Sequence, residues 1–138
     1  MDLYRKFIEE KRKEFDNFQG IGFAFSNKQF EEMLIKLNAS PKDLYDLGAG
    51  TFILKDRYQA FIDLSNNYYK KLNELMKDYN FALSGFTYEL ANHEYNITYD
   101  YDSTLEALNL TEKEINNSDV LLKAFKEARK TVIENSIY

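Results

Sequence analysis

The side chains that could carry acid–base or metal chemistry are few and lie close together in the sequence. The single histidine, His93, is followed by Asp100 and Asp102, which stand two residues apart. Residues two apart on a β-strand are separated by about 6.6–6.8 Å and point the same way. Such a carboxylate pair would hold a hydrated divalent cation or support hydrolytic acid–base chemistry. A neighbouring carboxylate would also orient His93 as a general base.

Each of these features has a structural interpretation, which we favour. Asp102 lies where an acid stabilises the N-terminus of a following helix. His93 lies at a predicted turn, where its ring would cap the preceding helix or bond a backbone carbonyl. No nucleophile accompanies it at a recognisable spacing. The sequence therefore predicts a protein without catalytic residues, metal ligands or a cofactor.

The composition of the chain excludes or disfavours several classes of function. The chain has 138 residues and no cysteine, which excludes disulfides, a thiol nucleophile and cysteine-ligated metal sites. A net charge of −5 disfavours general nucleic-acid binding, because phosphates repel an acidic chain. No apolar run approaches the roughly 20 residues of a membrane span, and no signal peptide is evident. We therefore expect a cytoplasmic protein that binds neither nucleic acid nor membrane.

Negative charge is concentrated in one part of the chain. Between Ser84 and Asp119 there are eight acids and one base, Lys113, so this segment carries −7 and the remainder +2. Four tyrosines in the same segment would add rigid contact area, and the carboxylates would select a basic partner. A solvated polar face over an ordinary core is the common alternative. The predicted partner-binding residues are Asn92, His93, Glu94, Tyr99, Asp100, Tyr101 and Asp102.

Hydrophobic periodicity predicts a helix-rich chain. Helices are expected over about 2–16, 26–37, 56–79, 81–92 and from 119 onward, with short helices opened by capping boxes at Ser103 and Thr111. The segment 81–91 is ambiguous, because Phe86-Thr-Tyr88 also suits a strand, and helix is the preferred interpretation. Short strands are expected over 20–25 and 51–54. The intervening Gly48-Ala-Gly50 lacks a full phosphate-loop pattern and is predicted to be a turn.

The segment 94–102 shows strict period-two alternation. Tyr95, Ile97, Tyr99 and Tyr101 alternate with polar residues, which predicts a strand with its aromatic face buried and its acids outward. The expected fold class is α+β, a single domain over residues 1–138. Its two- to three-stranded sheet would pack against the long central helix and the C-terminal helix.

Three stretches of the sequence resemble a family of small, largely uncharacterised acidic proteins encoded by phages and mobile elements of low-GC Gram-positive bacteria. They are Gly22–Phe30, Gly48–Lys55 and Tyr88–Tyr95, which runs on to Thr98–Tyr101. The resemblance implies a phage-accessory context inside a bacterial host. Small acidic proteins in that context often act on host machinery or host defence, including as inhibitors of CRISPR nucleases. The resemblance carries over no catalytic residue.

Together these observations favour a non-enzymatic interaction protein that binds a basic site on a host protein, such as one that normally holds nucleic acid. The alternative is a pocket protein that binds or hydrolyses a small, nucleotide-type molecule. The phosphates of such a ligand would need cations, for which Lys55, Arg57 and Arg129 are the candidates. A self-associating structural protein is a third hypothesis, and the sequence predicts no particular oligomeric state.

Overall fold

The computed structural model describes residues 2–135 and confirms the helix-rich α+β class with a small sheet. The helices are α1 (Leu3–Asp16), α2 (Asn27–Leu37), α3 (Tyr58–Leu75), α4 (Tyr79–Asn92), α5 (Tyr95–Thr98), α6 (Asp102–Ala107), α7 (Glu112–Asn116) and α8 (Asp119–Asn135). The strands are β1 (Ile21–Phe23), β2 (Leu44–Gly48) and β3 (Thr51–Leu54). Single 3-10 turns occupy Pro41–Asp43 and Lys55–Arg57. Within residues 2–135, no helix has the length and apolar character that crossing a membrane requires.

The described residues group into two compact units. One contains residues 2–12 and 68–135, and the other is Lys13–Asn67. We call them the helical unit and the sheet unit. The expectation of one domain over residues 1–138 stays a prediction, as does the packing of the sheet on the C-terminal helix.

The sheet unit contains a three-stranded antiparallel sheet in the order β1-β3-β2. Ile53, on the central strand, is fully buried. Helix α2 contributes Met33, which is buried in a cluster with Ala24 and Leu44. The ring of Tyr45 packs edge-on against that of Tyr58 at the start of α3, with 5.2 Å between ring centroids. Strand β2 was not predicted, because only its first residue is buried and the alternation that marks a strand is absent.

The predicted turn at Gly48-Ala-Gly50 joins β2 to β3. Ala49 and Gly50 both have left-handed backbone, with φ of +52° and +75°. Two positive φ angles in a two-residue hairpin loop are the pattern of a type I′ turn, whose twist matches that of the strands. A Cβ on Gly50 would lie 2.9 Å from the carbonyl oxygen of Ala24. Position 50 therefore needs glycine, whereas position 49 holds a residue poorly suited to its conformation.

Replacement of Ala49 is expected to stabilise the hairpin. A left-handed backbone costs an ordinary L-residue about 1–2 kcal/mol, and asparagine tolerates this conformation better than alanine does. We expect Ala49→Asn to raise the free energy of unfolding by up to about 1 kcal/mol in urea denaturation, since part of that strain is relieved. Gly50→Ala should lower the same quantity by at least about 1 kcal/mol. If both variants changed the free energy of unfolding in the same direction, the assignment of a type I′ turn would be wrong.

The core of the helical unit is built around α4, which packs most extensively against α8. Its buried residues Phe81, Ala82, Phe86 and Leu90 lie on one half of the helix, and the apolar side chains of Leu83 and Tyr88 on the other half are partly buried. Apolar residues on both halves weaken the amphipathic period, which explains why part of this sequence also suited a strand. The helix interpretation of 81–92 is confirmed.

Helix boundaries between residues 75 and 79 and at residue 102 differ from the predictions. The long central helix ends at Leu75, and Asp78 begins α4 by accepting the backbone N–H of Phe81 at 3.0 Å. Apolar residues continue through this break, so periodicity alone does not show it. The capping box at Thr111 is confirmed. The one at Ser103 is wrong, because α6 already begins at Asp102.

Candidate functional site

The segment 94–102 is not the predicted strand. Helix α5 forms a single turn between Glu94 and Tyr99, both of which have left-handed backbone, with φ of +58° and +57°. The N–H groups of Thr98 and Tyr99 donate to the carbonyls of Glu94 and Tyr95. These local bonds satisfy the backbone without a partner strand. The predicted burial is also wrong for Ile97 and Tyr99, which are 69% and 63% exposed, although Tyr95 is buried.

Asp100 and Asp102 do not form the predicted carboxylate pair on one face of a strand, because helix α5 precedes them and Asp102 begins α6. The N–H of Asp102 donates to Oδ1 of Asp100 at 2.9 Å, and the N–H of Asp100 donates to Oγ1 of Thr98 at 3.1 Å. Asp102 lies in the first turn of α6, where a negative charge favours the helix N-terminus. No group of three or more His, Cys, Asp or Glu side chains within residues 2–135 is placed to hold a metal ion.

His93 turns toward a buried carboxylate. It is the C-cap residue of α4, and its Nε2 lies 3.2 Å from Oε2 of Glu89. The hydroxyl of Tyr4, on α1, donates to Oε1 of the same carboxylate at 3.1 Å. Glu89 is only 6% exposed, so it does not belong to an acidic surface. This role was not predicted from the sequence, although the four-residue spacing from Glu89 to His93 places them on one helix face.

The Glu89 cluster has the character of a structural network. Burial, and after it the charge of Glu89, raises the pKa of Tyr4. The Tyr4 phenol therefore stays a hydrogen-bond donor throughout the physiological pH range. Within the described residues, no serine or threonine hydroxyl hydrogen-bonds to the ring of His93. The cluster joins α1 to α4 and presents no nucleophile to His93.

The other predicted contact residues, apart from Tyr101, are exposed. They are Asn92, Glu94, Tyr99, Asp100 and Asp102. Among residues 2–135, none of the three acids in this group makes an ion pair. We call residues 94–102 the acidic loop. It combines carboxylates that make no ion pair within the described residues with the exposed side chains of Ile97 and Tyr99.

Tyr101 turns away from the exposed side of the acidic loop and lines a cavity of about 300 Å³ between α7 and α8. Its hydroxyl donates to Oε1 of Glu112 at 2.7 Å. This hydrogen bond, with a smaller contribution from burial, raises the pKa of Tyr101. The Tyr101 ring packs edge-on against Phe125 at 5.1 Å. The guanidinium of Arg129 lies 4.6 Å from the ring centroid of Phe125 and 5.9 Å from that of Tyr101.

A comparison with known protein families finds one whose family model matches residues 3–131 of the chain. The chain belongs to DUF7659, a family of unknown function. The residues matched to DUF7659 include Glu89, the acidic loop and Arg129, so both the exposed surface and the cavity lie in the region that defines the family. No curated protein and no solved structure matches the chain.

Proposed function

We propose that this chain is a non-catalytic binding protein whose acidic loop engages a basic site on a protein of a bacterial host. The observation that carries the proposal is the exposure of Ile97 and Tyr99 beside carboxylates that have no ion-pair partner among residues 2–135. Protein interfaces commonly combine an aromatic or aliphatic anchor with a charged rim. The resemblance to proteins of phages and mobile elements supports a partner from the cytoplasmic defence or nucleic-acid-handling machinery of the host.

The backbone of the acidic loop supports a binding role. A left-handed conformation at a bulky residue such as Tyr99 costs of the order of 1–3 kcal/mol and is found disproportionately at functional sites. Here it accompanies an aromatic side chain that is 63% exposed. Hydrogen bonds from backbone N–H groups to the side chains of Thr98 and Asp100 order the residues that follow. A loop ordered before binding loses less conformational entropy when a partner arrives.

The charge of the acidic loop sets how binding depends on salt. Exposed carboxylates attract a basic partner over distances comparable to the Debye length, which is about 8 Å at physiological ionic strength. Electrostatic complementarity of this kind acts mainly on the rate of association. We therefore expect the association rate with the partner to fall as salt concentration rises, with a smaller change in the dissociation rate.

Charge reversal in the acidic loop tests the proposal. The wild-type chain serves first to capture and identify its partner from host cells, and dissociation constants are then measured with the purified partner. We expect Asp100→Lys/Asp102→Lys to weaken binding roughly tenfold or more, because close charge pairs at an interface become repulsive. Tyr99→Ala should also weaken binding, and it leaves the local hydrogen bonds of both aspartates in place.

The matched control is Glu31→Lys/Glu32→Lys on α2, where both side chains are exposed. This double variant changes the net charge of the chain by the same amount in the sheet unit. Circular dichroism establishes that all variants are folded. Equal weakening by both double variants would assign the effect to net charge, and unchanged binding of the acidic-loop variants would exclude the loop as the contact surface.

A further inference from the structure

The cavity beside Tyr101 contains a cation that lacks a polar partner. Nε of Arg129 is buried, and no hydrogen-bond acceptor is present for it among residues 2–135. Arg129 also makes no ion pair within that part of the chain. The acid that lines the cavity, Glu112, instead accepts the hydroxyl hydrogen of Tyr101. The guanidinium is therefore held without a carboxylate of its own.

The side chains around Arg129 orient its guanidinium, but none among residues 2–135 accepts a hydrogen bond from its buried Nε. The rings of Phe125 and Tyr101 contact the guanidinium, and cation–π contacts of this kind leave its N–H groups able to donate elsewhere. Arg129 as a whole is partly exposed and lines the cavity. An oxyanion in the cavity would therefore meet its guanidinium, whose fork matches carboxylate and phosphate geometry.

The remaining lining residues indicate the class of ligand. Lys126 lies three residues before Arg129 on α8 and also lines the cavity, so two cations stand against one carboxylate. Tyr101, Phe125 and two aliphatic side chains, Ile115 and Leu122, form apolar walls. A volume of about 300 Å³ falls at the small end of the range for ligand pockets. These features suit a small anion that also has a flat apolar part.

We infer that this cavity binds a small molecule that carries a carboxylate or phosphate group on a planar ring. Arg129 donates to the oxyanion, Lys126 supplies a second positive charge, and the rings of Tyr101 and Phe125 contact the planar part. This site is distinct from the exposed face of the acidic loop. The ligand inference therefore goes beyond the proposed protein contact, and each stands or fails separately.

The inference is tested by titrating the full chain with three probes and monitoring the backbone amides by NMR. Benzoate presents a carboxylate on a ring, phenyl phosphate presents a phosphate on the same ring, and inorganic phosphate has no ring. We expect saturable shifts at residues 112–129 with benzoate or with phenyl phosphate at millimolar concentration, and these two arms distinguish the oxyanion. Inorganic phosphate should bind at least about tenfold more weakly, which corresponds to about 1.4 kcal/mol.

Matched variants on α8 assign the binding to the cavity. Arg129→Gln should weaken binding about tenfold or more, because it removes the charge and the fork that hold the oxyanion. Lys130→Gln makes the same charge change at an exposed neighbour that does not line the cavity, and it should bind as wild type does. Lys126→Gln, at an exposed position, provides a second weakened variant should Arg129→Gln fail to fold.

Three results would overturn the inference. The first is the absence of saturable shifts with all three probes. The second is equal binding by wild type and a folded Arg129→Gln, or by wild type and Lys126→Gln if the former does not fold. The third is tighter binding of inorganic phosphate than of both ring-bearing probes, since this would exclude a role for the aromatic walls.

Discussion

Phe86→Ala is expected to lower the free energy of unfolding by about 3–5 kcal/mol, as large-to-small changes at buried phenylalanines do. Phe86 lies on α4 and is fully buried. Its ring is 5.0 Å from that of Phe125 on α8. Truncation removes this apolar contact and leaves a cavity that two packed helices close only in part. The effect is the largest expected here because α4 and α8 form the most extensive contact of the helical unit.

Urea denaturation followed by circular dichroism measures this loss. The matched control is Phe25→Ala, which removes the same side chain at a position that is 76% exposed. Surface truncations usually change stability by no more than about 0.5 kcal/mol. A loss of less than about 1 kcal/mol for Phe86→Ala, well below the range for a buried ring, would contradict the described core.

Tyr4→Phe is expected to lower the free energy of unfolding by about 1.5–3 kcal/mol, the range for hydrogen bonds to charged groups. The substitution keeps the ring that packs edge-on against Phe81 at 5.9 Å. It removes only the hydroxyl that donates to Glu89. A buried carboxylate oxygen is then left without its donor, and the desolvation of that oxygen is no longer compensated.

Tyr88→Phe is the control for the Tyr4 hydroxyl. Tyr88 lies on α4 with its ring 5.6 Å from that of Tyr4, and its hydroxyl has no hydrogen-bond partner among residues 2–135. We expect its loss to change stability by no more than about 0.5 kcal/mol. Equal losses for Tyr88→Phe and Tyr4→Phe would show that the bond to Glu89 does not stabilise the fold.

The pH dependence of the Tyr4→Phe effect has a definite sign. Burial and the charge of Glu89 raise the pKa of Tyr4 in the folded protein, whereas a tyrosine in the unfolded chain has a pKa of about 10. Above that pH the unfolded chain releases the proton and the folded protein retains it. The unfolded state is therefore stabilised relative to the folded state, and the free energy of unfolding falls. The stability difference between wild type and Tyr4→Phe should shrink as pH rises above about 10, measured by urea denaturation at each pH. A difference that grows would contradict the network.

Local patterns predicted the elements whose signals depend on neighbouring residues. The helix after Ser26 begins where its hydroxyl accepts the N–H of Gln29, and the capping box at Thr111 forms as expected. The amphipathic helix α1 begins and ends near its predicted bounds, and α8 begins at the predicted residue, Asp119. These signals survive because caps and apolar stripes act within one or two turns of the chain.

Elements whose residues gain or lose burial through distant contacts were predicted less well. Strand β2 was missed because its pairing with β3 stabilises it without an apolar face. The segment 94–102 has the alternation of a strand, yet it finds no partner strand and instead forms the turn of α5 and the start of α6. A period of two describes side-chain order along the chain, whereas a strand also needs a hydrogen-bonding neighbour.

The features of the candidate sites also fall into two groups: those that the sequence identified and those that only tertiary packing decided. Sequence alone located the concentration of acids and tyrosines near residue 100 and named Arg129 as a candidate cation. Only tertiary packing decided that Glu89 is buried with Tyr4, that Tyr101 faces Glu112, and that Arg129 lies against two aromatic rings. Charge is a property of composition, but which charges remain free depends on contacts between residues far apart in the chain.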